Sequence, residues 1–384
     1  MSNKTRRRTA GGRRWMVLGC GSVSALRTMK RFFQVVPSPK QVAAGVVAVP
    51  PPAKKPKADD DVGPVRDPLS FITYNCNSLF ARASRQQLES IIQYVLDEDP
   101  DMVSIQEARL PALKQGGCVS RYAIGKAKER NAVQPLIKRL VEEGPYLHYW
   151  SLADKGTGGT LTLIKRECRP DRIMFNFEQE REPHDSEGRI FIGTFRDLTV
   201  FSCYAPNNGL SEEHLRRREL WDYRVMEFVR QMANSGRNLI WMGDLNCAPS
   251  NFDMSHMGFF KARKQPGCTD LEQERMRRIM SAGRLIDAYV ATHPRYRQTV
   301  GVNALHPSHT WRGNDAGMYA NKSMRIDLIL VSEALRDRLI YCESRGADKW
   351  SSFMGSDHCP VKMCLRPPSP TTESTSAEQL PDPQ

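Results

Sequence analysis

The stretch NLIWMGDLNCAPSNFDM, residues 238–254, decides the fold and raises the question of what its polar residues do. Leu239 to Met242 form an apolar run typical of a buried strand, and the chain then reaches Asp244 and Asn246. At the two-residue period of a strand, these two side chains point to the same side. A strand that ends in an ordinary Gly-Asp turn explains the pattern as well. The stretch alone therefore leaves a catalytic and a structural interpretation equally open.

The net positive charge of the chain is concentrated at its N terminus. The 384 residues carry 56 Lys and Arg against 43 Asp and Glu, a formal net charge of +13. Residues 1–58 contain thirteen Lys and Arg and no acidic residue, so the remainder of the chain is neutral. Any nucleic-acid contact of that remainder must therefore come from a local patch of charge.

The composition predicts three segments: a disordered basic leader at 1–68, a catalytic domain at 69–366 and a disordered tail at 367–384. The leader contains PPAKKPK, a basic cluster of the nuclear-import type. Its first 36 residues are rich in Arg and free of acids, which also suits a mitochondrial transit segment. We expect a nuclear location, with a mitochondrial one as the alternative. A solvated arm that holds nucleic acid nonspecifically is a third interpretation.

The ten cysteines predict reduced thiols. They include no C-x-x-C pair, and several lie within apolar runs where a thiol packs as a small hydrophobe. We therefore expect neither a zinc cluster nor a disulfide framework. No apolar run approaches the length of a membrane span, so no membrane partner is expected.

Between the termini, the pattern is that of one α/β domain in which sequential strands pair antiparallel. Strands are predicted at 69–75, 101–107, 160–166, 189–195, 198–204, 238–244, 325–332 and 360–365, and helices at 84–97, 133–143, 212–234 and 270–283. Residues 111–135 are predicted to form a basic flexible loop.

Polar residues recur where the predicted strands begin or end. They are Asn75, Asn77, Glu107, Tyr204, Asn207, Asp244, Asn246, Asp327, Asp357 and His358. If these ends converge, they form a pocket of carboxylates and amides with one tyrosine and one histidine. An isolated carboxylate in an apolar strand, such as Asp327, is costly to bury without a partner, which favours a functional role.

Nine motifs then follow one another along the chain: YNCNSL, QEARL, GTGGTLTLIKR, HDSEGRI, YAPNNG, GDLNCAP, LIDAYVATHP, RIDLILVS and SDHCPV. In this order the sequence resembles the DNase I-like endonuclease/exonuclease/phosphatase superfamily, and within it the exonuclease III-type apurinic/apyrimidinic (AP) endonucleases. The resemblance covers residues 69–365. It implies an α/β (α+β) fold, a four-layer sandwich of two packed mixed β-sheets flanked by helices.

The resemblance also implies a function, that of a metal-dependent DNA repair nuclease acting in base excision repair. Such an enzyme hydrolyses the phosphodiester 5′ to an abasic site in double-stranded DNA and leaves a 3′-hydroxyl. A 3′-phosphodiesterase or 3′–5′ exonuclease side activity is expected with it. We expect a monomer whose further partners are other base-excision-repair proteins.

Phosphodiester chemistry and the resemblance together assign the metal ligands. A divalent cation screens the phosphate and stabilises the transition state, and hard oxygen ligands suit Mg²⁺, with Mn²⁺ as the alternative. The predicted ligands are Glu107, Asn75, Asp357 and Asp244.

The same reasoning assigns the catalytic residues. Asp244 orients or deprotonates the attacking water, and Asn246 holds its geometry. His358 contacts the scissile phosphate, while Asp327 fixes its tautomer and favours its charged form. Further donors to the phosphate oxygens are predicted at Tyr204 and Asn207.

Recognition of DNA is predicted from residues outside this set. Trp311 and Met324 match the aromatic abasic-pocket positions of the family, although Met324 is not aromatic and leaves the wall looser. Met318 and Tyr319 are candidate wedges between base steps, or incidental residues of a surface loop. Contacts to phosphates are predicted at Lys261, Arg263 and Arg189.

Two of these basic contacts have alternatives. Arg189 equally suits an ion pair with Glu187 in a hairpin. Residues 77–80 lack the basic residue that the corresponding turn of the family carries. Arg82 or Arg85 could supply the missing contact to DNA instead.

Two rival functions stay open at this point. The first is a same-fold 3′-exonuclease of RNA or a phosphatase of small molecules, which predicts a different loop between Trp311 and Arg325. The second is a DNA-binding or redox-regulatory protein without catalysis, against which the intact set of acidic and histidine residues argues.

Overall fold

The structure is a computed structural model that describes residues 65–368 except residues 117, 178–184, 210, 300–303, 314–315 and 346–352. Residues 1–64 and 369–384 lie outside the described residues. The predictions of a disordered leader and a disordered tail fall almost wholly on these residues and stay predictions.

Sixteen strands and eight α-helices lie within the described residues. The strands are β1 (Ser70–Asn75), β2 (Met102–Gln106), β3 (Ala112–Gln115), β4 (Cys118–Ile124), β5 (Tyr146–Ser151), β6 (Thr160–Lys165), β7 (Arg172–Met174), β8 (Ile190–Thr194), β9 (Leu198–Tyr204), β10 (Asn238–Asp244), β11 (Leu285–Asp287), β12 (Trp311–Arg312), β13 (Ser323–Met324), β14 (Asp327–Ser332), β15 (Leu339–Ser344) and β16 (Val361–Leu365). The helices are α1 (Leu79–Ser84), α2 (Leu88–Glu98), α3 (Ala127–Ile137), α4 (Glu212–Asn234), α5 (Met257–Ala262), α6 (Asp270–Gly283), α7 (Ala288–Thr292) and α8 (Tyr296–Thr299).

Two six-stranded sheets organise the domain. Their strand orders are β15-β16-β1-β2-β6-β5 and β11-β14-β10-β9-β8-β7. Both sheets are mixed, because β1 pairs parallel to β2 and β9 pairs parallel to β10, whereas the other neighbours are antiparallel. The expectation of two mixed sheets and of prevailing antiparallel pairing is confirmed.

Alternating residues of each strand enter different cores, which makes the architecture four-layered. Phe71 packs between the sheets, whereas its neighbour Ile72 packs with α2 on the outer face of the first sheet. In the second sheet, Met242 faces inward and Trp241 packs outward with residues of α4 and α6. Strands covered on both faces read as continuous apolar runs, as residues 239–242 do.

The two long helices match their predicted bounds because their ends carry local signals. The Ser211 side chain accepts from the backbone of His214 and starts α4. A capping box between Thr269 and Glu272 starts α6. By contrast, the helix predicted at 84–97 begins only at Leu88, since α1 ends at Ser84 and Gln86 takes a left-handed φ of 60° between α1 and α2.

The prediction of a flexible loop at 111–135 is wrong. Strands β3 and β4 pair as an antiparallel hairpin, and α3 follows them. The hairpin was missed because its short strands carry few buried apolar residues, so the sequence shows no clear two-residue alternation. Contacts with distant segments stabilise the hairpin instead, such as the hydrogen bond from the Leu152 N–H to the Arg121 carbonyl, 3.0 Å long.

Eight cysteines whose side chains the structure describes have free thiols, and seven of them are buried. Burial raises the pKa of thiols such as Cys203, which is about 12, so these cysteines pack as apolar residues. Among the residues described, no helix has the length and apolar character needed to cross a membrane.

Candidate active site

The polar strand ends meet at one edge of the two sheets. Strand β1 ends there at Asn75, and the parallel strand β2 ends at Gln106, the residue before Glu107. In the second sheet, β10 ends at Asp244, which pairs directly with Asp327 at the start of the antiparallel strand β14. The strand direction therefore places carboxylates from both sheets at the same edge.

Asn75 joins the two sheets at this edge. Its amide Nδ2 donates to Glu107 Oε1 at 3.0 Å and to Asp244 Oδ2 at 2.8 Å. The residue is fully buried, and its Oδ1 accepts from the backbone N–H of Asn77 at 3.0 Å. One amide thus fixes the separation of two carboxylates that are 137 residues apart in the chain.

Glu107 has a left-handed backbone, with φ of 51°, where β2 leaves the sheet. Its Oε2 accepts from Arg109 Nε at 2.6 Å, and the two side chains form an ion pair. Arg109 is a site residue that was not predicted from the sequence. The signal was a glutamate and an arginine two residues apart in QEARL, a spacing that becomes a contact only through this backbone turn.

The loop after β10 immobilises Asp244. The backbone N–H of Asn246 donates to Asp244 Oδ1 at 2.9 Å, and the Asn246 amide donates to the Ala205 carbonyl at 2.9 Å. Exposed Asn207 donates to Asn246 Oδ1 at 3.3 Å. Burial, and then the charge of Asp327, raises the pKa of Asp244 to about 7. A carboxylate with this pKa is suited to accept a proton near neutral pH.

Asp327 and His358 form a buried pair. His358 Nδ1 lies 2.8 Å from Asp327 Oδ2. Burial acts to lower the pKa of His358, but the Asp327 carboxylate overcomes it and keeps that pKa well above the ordinary value. The imidazole is therefore held charged by Asp327 through Nδ1, which leaves its Nε2–H as a donor for an anion.

The residues at this edge fit a divalent cation. One ligand atom each from Asp244, Asp327 and His358 lies within 4.8 Å of the others. Asp327 Oδ1 is buried and has no hydrogen-bond partner within the described part of the chain, a costly arrangement unless a cation or donor satisfies it. Glu107 adds a third carboxylate, linked to Asp244 through Asn75. Hard oxygen donors of this kind suit Mg²⁺ or Mn²⁺.

Asp357 has a second set of partners. Its Oδ1 accepts from Asn77 Nδ2 at 2.8 Å, and its Oδ2 accepts from Trp311 Nε1 at 3.1 Å. Burial acts to raise its pKa, but His358 and these donors together hold that pKa below its usual range. Asp357 thus stays ionised and orients the indole ring of Trp311, while its role as a metal ligand stays a prediction.

Tyr204 and Arg189 stack at the rim of the site. The Arg189 guanidinium lies 4.5 Å from the Tyr204 ring centroid and donates to the Tyr204 carbonyl at 2.9 Å. Arg189 also donates to Glu187 Oε2 at 2.6 Å, so the hairpin ion pair considered as an alternative is present. Burial raises the pKa of Tyr204, which keeps its phenol protonated as a donor.

The predicted pocket wall is formed by β12 and β13, in which Trp311 pairs with Met324. Met324 is buried in an apolar cluster against which Trp311 and Tyr319 pack. The Tyr319 hydroxyl donates to Gln265 Oε1 at 2.7 Å, so Tyr319 belongs to the wall. Of the two candidate wedges, Met318 projects into solvent with 58% of its surface exposed.

The predicted phosphate contacts differ in their availability. Lys261 Nζ already pairs with Asp270 at 2.6 Å, and the Arg263 guanidinium stacks 3.9 Å from the Phe259 ring centroid. Arg82 is 2% exposed and cannot reach DNA, whereas Arg85 is exposed. Of the two suggested replacements for the basic turn residue, the structure therefore leaves Arg85.

Thr310 is a site residue that sequence reasoning missed. Its buried hydroxyl accepts from the backbone N–H groups of Ile326, at 3.1 Å, and Asp327, at 3.0 Å. Its carbonyl accepts from the N–H of Cys359, which follows His358. Thr310 thereby connects both members of the Asp327–His358 pair. Nothing in the sequence around it signals this role.

Comparison with known proteins agrees with this geometry. Residues 72–358 match the Endonuclease/Exonuclease/phosphatase family. A DNA-(apurinic or apyrimidinic site) endonuclease of Arabidopsis thaliana is 33% identical over 368 residues, which span 90% of this chain and 98% of that protein. One of Plasmodium berghei (strain Anka) is 32% identical, over 77% of this chain and 63% of its own length.

A solved structure shares the fold. The AP endonuclease LMAP from Leishmania major superposes with a TM-score of 0.61 at 20% identity, over 80% of this chain and 94% of that one. The family match covers most of the chain, and the Arabidopsis relative is covered almost completely. The chain therefore belongs to the endonuclease/exonuclease/phosphatase family and, within it, to the DNA-(apurinic or apyrimidinic site) endonucleases.

Proposed function

We propose that this protein hydrolyses the phosphodiester 5′ to an abasic site in duplex DNA and leaves a 3′-hydroxyl and a 5′-deoxyribose phosphate. The observation that carries the proposal is the convergence of Asp244 and the Asp327–His358 pair at the edge where Asn75 and Glu107 also lie. The relatives of this chain that bear the AP endonuclease name support the choice of substrate.

Each residue of the site has a task in this reaction. Asp244, fixed by Asn246, accepts a proton from the water whose oxygen attacks the phosphorus. His358, held charged by Asp327, donates through Nε2 to a nonbridging oxygen. The bond from phosphorus to the 3′-oxygen then breaks, and that oxygen takes a proton from solvent.

Glu107, Asn75 and Asp244 would hold Mg²⁺ or Mn²⁺, with Asp327 Oδ1 as a further oxygen in reach of the same edge. A bound divalent cation neutralises charge on the phosphate and in the transition state. The excess of carboxylates over cations at this edge supports the proposal of a metal, and the chemistry of the donors supports Mg²⁺.

Recognition of the abasic nucleotide is proposed for the wall around Trp311. An abasic nucleotide has no base to unstack, so moving it out of the duplex costs less than flipping an intact one. Asp357 fixes the indole by a 3.1 Å hydrogen bond, and Met324 backs it from the paired strand. A rigid wall of this kind admits a bare sugar more readily than a complete nucleotide.

The test is cleavage of a duplex that contains one tetrahydrofuran abasic analogue, with Mg²⁺ present. The analogue cannot undergo β-elimination, so a cut immediately 5′ to it must be hydrolytic. Parallel reactions contain an undamaged duplex, a duplex with a blocked 3′ end, poly(A) RNA and an inositol polyphosphate. Abasic cleavage supports the proposal. Its absence together with release of adenylate or phosphate would show that one of the same-fold rivals is correct.

A further inference from the structure

We propose that residues 111–130, called here the basic hairpin segment, form a second DNA-binding surface that holds backbone phosphates of the duplex beside the active site. The segment comprises β3, β4 and the start of α3. The inference rests on the proposed function, because it takes duplex DNA as the ligand of the neighbouring site.

Charge is the first observation. The twenty residues of the segment contain five Lys and Arg and one acidic residue, Glu129. The chain after residue 58 is neutral as a whole, so this stretch stands out against its own domain. A local excess of cations in a neutral domain is what an anionic backbone requires of its binding surface.

Position is the second observation. The hairpin begins at Ala112, five residues after Glu107, so even an extended chain places it within about 18 Å of that carboxylate. B-DNA rises about 3.4 Å per base pair along each strand. A duplex whose scissile phosphate lies at Glu107 can therefore reach the start of the segment within about five base pairs.

Contacts to the rim of the site fix this position. Pro111 pairs with Ala153, and Arg121 Nη1 donates to the Ser186 carbonyl at 2.9 Å. The carbonyl of the next residue, Glu187, accepts from the Gly159 N–H at 3.1 Å. The carbonyl of the adjacent Gly158 accepts from the backbone N–H of Arg109 at 2.8 Å. The segment is thus joined to the loops that flank Glu107.

The helical part of the segment is anchored on the other side. Lys128 Nζ lies 5.7 Å from the ring centroid of Phe80, which belongs to α1. Helix α1 starts four residues after Asn75 at the end of β1. The segment therefore spans from the loops beside Glu107 to the helix beside Asn75.

The cations of the segment differ in their partners. Arg121 pairs with Asp154 at 3.1 Å, and Arg130 donates to the Ile124 carbonyl at 2.9 Å, so the arginines stabilise the segment itself. The exposed lysines are Lys114, Lys126 and Lys128. Lys126 lies 3.5 Å from Glu129, a weak exposed pair that a phosphate can replace. Lysine binds phosphate as a point charge and needs no fixed geometry, which suits contacts that are independent of sequence.

The experiment compares two triple variants with equal loss of charge. The test variant carries Lys114→Gln, Lys126→Gln and Lys128→Gln. The control carries Arg169→Gln, Arg196→Gln and Arg336→Gln, exposed residues beyond the ends of β6, β8 and β14. These positions lie at the far ends of strands whose other ends reach the site, about 20 Å away.

The dissociation constant for the tetrahydrofuran duplex is measured in EDTA from about 50 to 200 mM salt. Each lost phosphate contact reduces the slope of log K against log salt by about 0.9. The slope of the test variant should therefore be smaller in magnitude than that of the wild type by about 2 to 3. The control should keep the wild-type slope. Equal slopes for the wild type and the test variant, or an equal change in both variants, would overturn the proposal.

Two further measurements separate this inference from the proposed function. With Mg²⁺ and saturating DNA, the single-turnover cleavage rate of the test variant should equal that of the wild type, since none of its lysines belongs to the catalytic site. A wild type that fails to cut the abasic duplex refutes the proposed function, whereas the slopes in EDTA need no cleavage. Circular dichroism and Tm establish that both variants are folded.

Discussion

Two clusters of buried carboxylates lie near each other in sequence but differ in how their charge is balanced. In one, Arg325 donates to Asp253 and to Asp287, each at 2.6 Å, so one guanidinium joins both carboxylates. In the other, His358 pairs with Asp327 and lies near Asp244, and Asp327 Oδ1 has no hydrogen-bond partner among the described residues. We call the first cluster closed, because both of its carboxylates are paired with a cation. We call the second cluster open, because a carboxylate oxygen in it can still bind a ligand.

The pKa values record this difference. Burial acts to raise the pKa of Asp253, but Arg325 and its other donors hold that pKa below its ordinary value. Burial raises the pKa of Asp244 to about 7, and the neighbouring charge of Asp327 adds to it. Both residues are almost fully buried. The balance of charge, and not burial, therefore distinguishes a structural carboxylate from a reactive one.

A third cluster shows that proximity of ligand atoms alone does not make a site. Asp101, Glu167 and Cys168 meet the same 4.8 Å spacing as the catalytic cluster. However, Arg66 pairs with Asp101 at 2.7 Å and with Glu167 at 2.6 Å. Its charge is already compensated, so we assign this cluster to structure.

The largest effect is expected at Asp244, the uncompensated carboxylate. Asp244→Ala should reduce the single-turnover cleavage rate by at least about 10³-fold, roughly 4 kcal/mol of barrier. Tm should not fall with it, because the change removes a carboxylate whose charged form is disfavoured. The matched control is Asp253→Asn, which should lower Tm and retain the rate of the folded enzyme. The reverse result would contradict the distinction between the clusters.

The next effect concerns the partners in the open cluster, His358 and Asp327. Removal of either side chain should reduce turnover by about 10²-fold or more, since both are needed for one charged donor to the phosphate oxygen. Because the two act as a unit, the double variant should lose little more than either single variant. Turnover losses that multiply in the double variant would show independent roles.

Arg325→Met breaks the closed cluster and leaves two buried carboxylates without their cation. We expect the free energy of unfolding to fall by about 3 kcal/mol, measured by urea denaturation. Arg325→Lys is the control, because it keeps the charge and should recover part of the loss. An unchanged free energy of unfolding in Arg325→Met would remove the structural assignment of this cluster.

The destabilisation in Arg325→Met should depend on pH. The pKa of Asp253 is lowered in the folded state, so its contribution is present above the unfolded value of about 3.9 and is lost as pH falls through the folded value. The difference in free energy of unfolding between wild type and variant should therefore be full at neutral pH and shrink below about pH 4. Denaturation at several pH values measures it, and a constant difference would argue against the pair.

The smallest effect is expected at Thr310, which positions the open cluster. Thr310→Val leaves the buried N–H groups of Ile326 and Asp327 without an acceptor and should cost about 1 to 3 kcal/mol of stability. Thr310→Ser retains the hydroxyl, so its stability and its pH profile of cleavage should stay close to those of the wild type. A serine variant that behaves like the valine variant would assign the effect to packing.

Local signals in the chain were sufficient for much of this structure. Helices at 212–234 and 270–283 have their predicted bounds, because capping and 3.6-residue periodicity act within a few residues. The bounds of the eight predicted strands agree to within two residues, because their apolar runs and the turn residues beside them are also local signals. The polar residues at strand ends were visible as candidates because a buried strand rarely ends in several carboxylates and amides without a use for them.

Only the packing of the sheets decided which candidates meet and which charges are free. Asn75 and Asp244 come from different sheets and are 169 residues apart, yet one hydrogen bond joins them. Packing also buries Arg82 and pairs Lys261 with Asp270, whereas it leaves the lysines of the basic hairpin segment exposed. Composition cannot distinguish these cases, because the free energy of a charge depends on its burial and its neighbours, and distant parts of the chain supply both.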